Sequence, residues 1–76
     1  MNIKIADATL HINENLEKWQ RNVLADHMRM QTGVIAIGYH DEKPHLMTIG
    51  FNLDCTNPMN FIHMIERHGY HAKRIG

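Results

Sequence analysis

Seventy-six residues, 43% of them apolar, with eight basic side chains balancing eight acidic ones, describe one small globular domain, residues 1–76, and exclude a disordered chain. The charges are scattered as well as balanced, so the chain lacks the positive field that a nucleic-acid backbone selects, and no nucleic-acid partner is expected. No apolar run is long enough to span a bilayer, and "MNIKIADATLHI" alternates where a secretion leader would be continuously apolar; neither membrane insertion nor export is expected.

A single cysteine, Cys55, cannot close an internal disulfide, which fits a reducing compartment and a cytoplasmic protein. Histidine is over-used, seven in 76 residues, and six methionines add soft sulfur. Below about pH 6 exposed imidazoles protonate, so this neutral chain becomes cationic in mild acid.

A first strand is expected over Ala8 to Ile12, with Leu10 and Ile12 on one face and Thr9 and His11 on the other. Ile3 and Ile5 have the opposite parity, which predicts a bulge or break near Asp7. A helix follows from about Glu17 to Gln31. Its apolar stripe is read as Leu16, Trp19, Val23, Leu24, Met28 and Met30, with His27 inside it as a hydrogen-bonded core histidine. "TGV" ends the helix, Gly33 being free to adopt positive φ.

"VIAIGYH" and "HLMTIGF" are the next two strands, joined through "DEKP" as a hairpin with a four-residue loop. Met47, Ile49 and Phe51 alternate toward a core. Asn57 is a good N-cap and Pro58 a good first residue for a second helix, whose stripe is Phe61, Ile62 and Ile65 and which Gly69 closes. "YHAKRI" is the last strand. The class is therefore α+β, a ferredoxin-like βαββαβ two-layer sandwich. Two helices lie on one face of a four-stranded antiparallel sheet of order 4-1-3-2, which buries both apolar stripes at once.

"TGV" after the first helix, "TIGFNLD" in the third strand and "IERHGYHAKRI" at the end resemble the heavy-metal-associated (HMA) domain, the fold of copper chaperones and of modules of metal-pumping ATPases. The resemblance covers about residues 8–75. It implies a Cys-x-x-C at the start of the first helix that holds a soft metal such as Cu(I). The matching positions here are Glu17 and Gln20, with Leu16 where the family often has methionine, so binding of Cu(I) by Cys-x-x-C is excluded. Tyr70, in "GYHA", matches a structural position. The chain looks like a divergent branch that retains the scaffold and lacks the thiolates.

Threading the chain through this fold gathers histidines. His11 ends the first strand, His40 and His45 flank "DEKP", and His68 and His71 straddle Gly69, so five of the seven fall at one end of the molecule. His11 and His71 are expected as a cross-strand pair on the open sheet face, with His40 and His45 as a second pair. Imidazoles suit Zn(II), Ni(II), Co(II) or Cu(II). Cys55 falls at the opposite end and reads as an isolated loop cysteine.

No catalytic constellation is present, so an enzyme is not expected. Acylphosphatases share the plan but place an arginine in the first strand–helix turn, where "HINENLEKW" offers acidic and amide groups. RNA-recognition modules need aromatics on the open face, where strand three offers Leu46, Thr48 and Gly50. The expected function is a small non-catalytic module that binds or traffics a transition metal through histidines. The alternative is an interaction or oligomerisation domain with a protein partner or a second copy and no metal site.

Overall fold

The computed structural model describes residues 3–76. In chain order the elements are β1 (Ile5–Ile12), α1 (Lys18–Arg29), β2 (Val34–His40), β3 (Lys43–Asn52), α2 (Pro58–Arg67) and β4 (Ala72–Arg74). They form a four-stranded sheet of order β2-β3-β1-β4, antiparallel throughout, with both helices over one face: the expected βαββαβ two-layer sandwich.

Period-2 alternation decides which side chains meet the helices. Ala8, Leu10 and Ile12 of β1 and Met47, Ile49 and Phe51 of β3 point inward, against Leu24 and Met28 of α1 and Phe61 and Ile65 of α2. Phe51 and Phe61 meet edge to face with ring centroids 5.2 Å apart. Each such fully buried side chain contributes roughly 1.5–3 kcal/mol.

α2 is capped as its sequence demands. The Asn57 side chain accepts from the Asn60 N–H at 3.3 Å, Pro58 opens the helix, and Gly69 leaves it at φ +90°. α1 ends in a turn where Gly33 takes φ +92°; a Cβ there would lie 2.7 Å from the Cβ of Cys55, so only glycine fits. Cys55 itself is exposed.

Several expectations are corrected. β1 begins at Ile5 and its register with β3 runs unbroken from Ile5↔Asn52 to His11↔Leu46, with no bulge at Asp7. Ile3 and Ile5 have the opposite parity because they lie on the uncovered side, where both are exposed. The hairpin turn is two residues, Asp41 and Glu42, with His40 paired to Lys43, and the irregularities lie in β2. Pro44 therefore belongs to β3, beyond the last residue that β1 pairs, where its missing N–H removes no bond to β1. The last strand is shorter than expected, Ala72–Arg74, although Ile75 and Gly76 still bond to Thr9.

The largest correction is the face of α1. Arg21, Leu24, Ala25 and Met28 are buried, whereas Trp19 (63% exposed), Val23 and Met30 (83%) face solvent. Arg21 is drawn inward by the end of β2 and the hairpin turn. Its Nη2 donates to Asp41 at 3.3 Å and its guanidinium lies 5.2 Å from the centre of the Tyr39 ring, while the Tyr39 hydroxyl donates to Asn22. The Arg21 Nε and Nη1 are buried with no hydrogen-bond partner among the described residues. With this side of α1 turned inward, the residues at 19, 23 and 30 lie opposite its buried side. His27 is likewise exposed rather than in the core.

Candidate functional site

Antiparallel pairing puts the C-terminal end of β1, the start of β3 and the start of β4 side by side. At this end Ile12 pairs with Ala72, and the Asn13 N–H donates to the His71 carbonyl at 2.8 Å. Three of the five expected histidines, His11, His45 and His71, make their side-chain contacts here.

His45 is oriented by the backbone. Its Nδ1 lies 2.7 Å from the Ile12 carbonyl oxygen. A carbonyl only accepts, so Nδ1 carries the proton, and the neutral ring keeps its lone pair on Nε2. His11 stacks on it with centroids 5.3 Å apart and planes 12° from parallel. Among the described residues the buried Nδ1 of His11 has no hydrogen-bond partner.

His71 is oriented by a carboxylate. Glu14, in the loop between β1 and α1, accepts from the His71 backbone N–H at 2.7 Å and from Nδ1 at 2.6 Å. The hydrogen bond first and the carboxylate charge second raise the His71 pKa above its ordinary value; the same side-chain contact, then the backbone N–H, lowers that of Glu14. Here too, among the described residues, Nε2 is the nitrogen without a protein partner. A carboxylate behind a histidine is a recurrent arrangement in metal sites, because it fixes the ring and makes the outer nitrogen more basic.

The expected pairs are therefore not the observed ones. His11 sits opposite Lys73, not His71, and its ring goes to His45. His71 is held by Glu14, which satisfies both its backbone and ring donors. His40 and His45 do not pair across the hairpin: His40 is exposed opposite Lys43, while His45 is bound to Ile12. His68, the C-cap of α2, turns to the other helix, its Nε2 lying 2.9 Å from His27 Nδ1. Among the described residues no three His, Cys, Asp or Glu side chains come together to hold a metal ion.

Glu14 and His27 are the contacts that sequence reasoning missed. Glu14 was within reach of inference: a strand order that lays β4 beside β1 brings an acidic side chain two residues past Ile12 close to His71. The aligned thiolate positions are used for capping instead. The Glu17 N–H donates to Gln20 Oε1 at 2.8 Å, and the Trp19 indole N–H donates to Glu17 Oε2 at 2.8 Å. No pocket opens among the described residues, and no helix of theirs is long and apolar enough to cross a membrane.

No family model matches the sequence, and no curated protein matches it. Solved structures do match its fold. Oxidized MerP from Ralstonia metallidurans CH34 superposes with a TM-score of 0.85 at 12% identity, over 96% of this chain and 100% of that one. A copper binding domain from HMA7, a P-type ATPase, gives 0.82 at 11% identity, over 92% and 93%. A structure described as "Crosstalk between Cu(I) and Zn(II) homeostasis" gives 0.79 at 16% identity, over 92% and 99%. At these identities the likeness is one of architecture: the chain has the ferredoxin-like fold of heavy-metal-associated, copper-chaperone-like domains.

Proposed function

We propose that this chain is a small non-catalytic module that binds or carries a transition metal ion through imidazoles in place of a thiolate pair. One observation carries the reading. At the same end of the sheet, His45 and His71 each have Nδ1 engaged, by the Ile12 carbonyl and the Glu14 carboxylate, so that Nε2 is the free acceptor of both rings. His11, stacked on His45, is the third candidate ligand, and His40, at the end of β2, the fourth; His68 belongs with His27. The likeness to a solved domain described as copper binding supports the class of cargo. Imidazole ligands favour Zn(II), Ni(II), Co(II) or Cu(II), and two fixed rings leave positions for water or for a partner's ligands, as a carrier requires. A lone exposed cysteine supports a cytoplasmic, reducing location.

Isothermal titration of the purified chain with Zn(II), Ni(II) and Cu(I) tests this. Heat is expected with Zn(II); the Zn(II) heat is lost in the His45→Ala/His71→Ala double variant and survives Cys55→Ser. No heat and no histidine chemical-shift change with any of the three would overturn it.

A second reading has an observation of its own. Trp19, Val23 and Met30 expose an apolar outer face on α1, which favours an interaction domain that docks a protein partner or a second copy. A mass that rises with concentration in sedimentation, without metal, supports that reading.

A further inference from the structure

The geometry points to a second metal site, separate from the strand ends, in which His27 of α1 and His68 at the C-cap of α2 chelate one tetragonal Cu(II) or Ni(II) ion and clip the two helices together. His27 Nδ1 and His68 Nε2 lie 2.9 Å apart, with ring centroids at 4.8 Å and planes tilted by 39°. Two imidazole nitrogens bound to one ion at about 2.0–2.1 Å stand roughly 2.9 Å apart when they subtend 90°, and roughly 3.3 Å apart at the tetrahedral angle. The observed separation therefore matches neighbouring corners of a square, the geometry of Cu(II) and Ni(II), so the rings need only reorient about their present positions to aim both lone pairs at one ion; Zn(II) would also need them to part by a few tenths of an ångström.

Three further features suit a cation there. Neither ring is sealed from solvent, so an aqueous ion reaches both. His27 lies in the last turn of α1 and His68 caps α2, so each ring is carried at the negative end of its helix dipole. The His68 ring also lies near-parallel to that of Tyr70, with centroids 6.5 Å apart and planes 12° from parallel.

Without metal the two nitrogens share one proton as an N–H···N hydrogen bond. On binding, that proton passes through water to the other nitrogen of its own ring. Both facing lone pairs then bind the ion, with no net proton release and no redox change. The remaining corners of the square are left for water.

The test uses the full chain at neutral pH, with Cu(II) for spectra and Ni(II) for melting. Substoichiometric Cu(II) is expected to broaden the ring resonances of His27 and His68 together. Ni(II) is expected to raise the wild-type Tm; the rise is expected to shrink in His27→Ala and in His68→Ala, and a rise from the helix site is expected to persist in His45→Ala/His71→Ala. An unchanged rise in the His27 and His68 variants, or broadening confined to His45 and His71, would overturn the helix site and leave the strand-end site standing. Broadening confined to His27 and His68 would do the reverse.

Discussion

The two helices present the same problem to the sheet and solve it differently. α2 buries the face its sequence advertises: Phe61 and Ile65 enter the core, Asn57 caps it and Gly69 ends it. α1 buries Arg21 with Leu24, Ala25 and Met28, and turns a tryptophan, a valine and a methionine to solvent. In α1 the buried face keeps Leu24 and Met28 of the apolar stripe but is shifted toward Arg21, which reaches a polar contact on a neighbouring element. Among the described residues, α2 (Pro58–Arg67) makes no polar side-chain contact with another element. α1 has Asp41 and the Tyr39 ring waiting at the end of β2.

Truncations break or sharpen this contrast. Phe61→Ala in α2 is expected to cost about 3–5 kcal/mol and Leu24→Ala in α1 about 2–5 kcal/mol, measured by denaturant unfolding, since both side chains are fully buried. Trp19→Ala, at an exposed position of α1, is expected to cost under about 1 kcal/mol despite removing the largest side chain in the chain. The reverse order for Leu24 and Trp19 would mean that α1 packs by its sequence stripe after all.

The same contrast runs through the histidines. His45 is fixed by a backbone carbonyl, a contact that does not titrate at the acceptor, whereas His71 is fixed by a carboxylate that does. The raised pKa of His71 means that its contribution to stability is complete below the ordinary imidazole value, about 6.5, and is lost as pH rises through the raised value. The lowered pKa of Glu14 means that its contribution is complete above the ordinary carboxylate value, about 4.5, and is lost as pH falls through the lowered one. The Tm difference between the protein and His71→Ala is therefore expected to be largest between about pH 4.5 and 6.5 and to shrink on both sides. The contact is exposed, so the effect is the smallest of those predicted here. A difference that grows steadily from acid to alkali would contradict the pairing.

Most of the architecture was legible because it rests on local rules: alternation in β1 and β3, an Asn-Pro helix start, glycines at two positive-φ turns. From those, strand order and the gathering of His11, His45 and His71 at one end of the sheet follow. The partners of each ring were not legible. His11 faces Lys73 because the β1–β4 register is set by backbone pairing through Leu10 and Ile12, which a three-residue strand does not announce in sequence. His27 and His68 meet across the helix layer, and that meeting depends on the rotation of α1, the very quantity its periodicity misreports. Residues 41 residues apart in sequence have no local signal.

Whether two imidazoles at the strand ends are held with Nε2 bare is the point on which the proposed function depends. The direct measurement is a long-range proton–nitrogen correlation spectrum of the histidine rings, recorded above the raised His71 pKa before and after one equivalent of Zn(II). The account predicts that His45 and His71 both carry the proton on Nδ1, and that Zn(II) shifts the Nε2 signal of each. Rings protonated on Nε2, or Nε2 signals that ignore the ion, would contradict it.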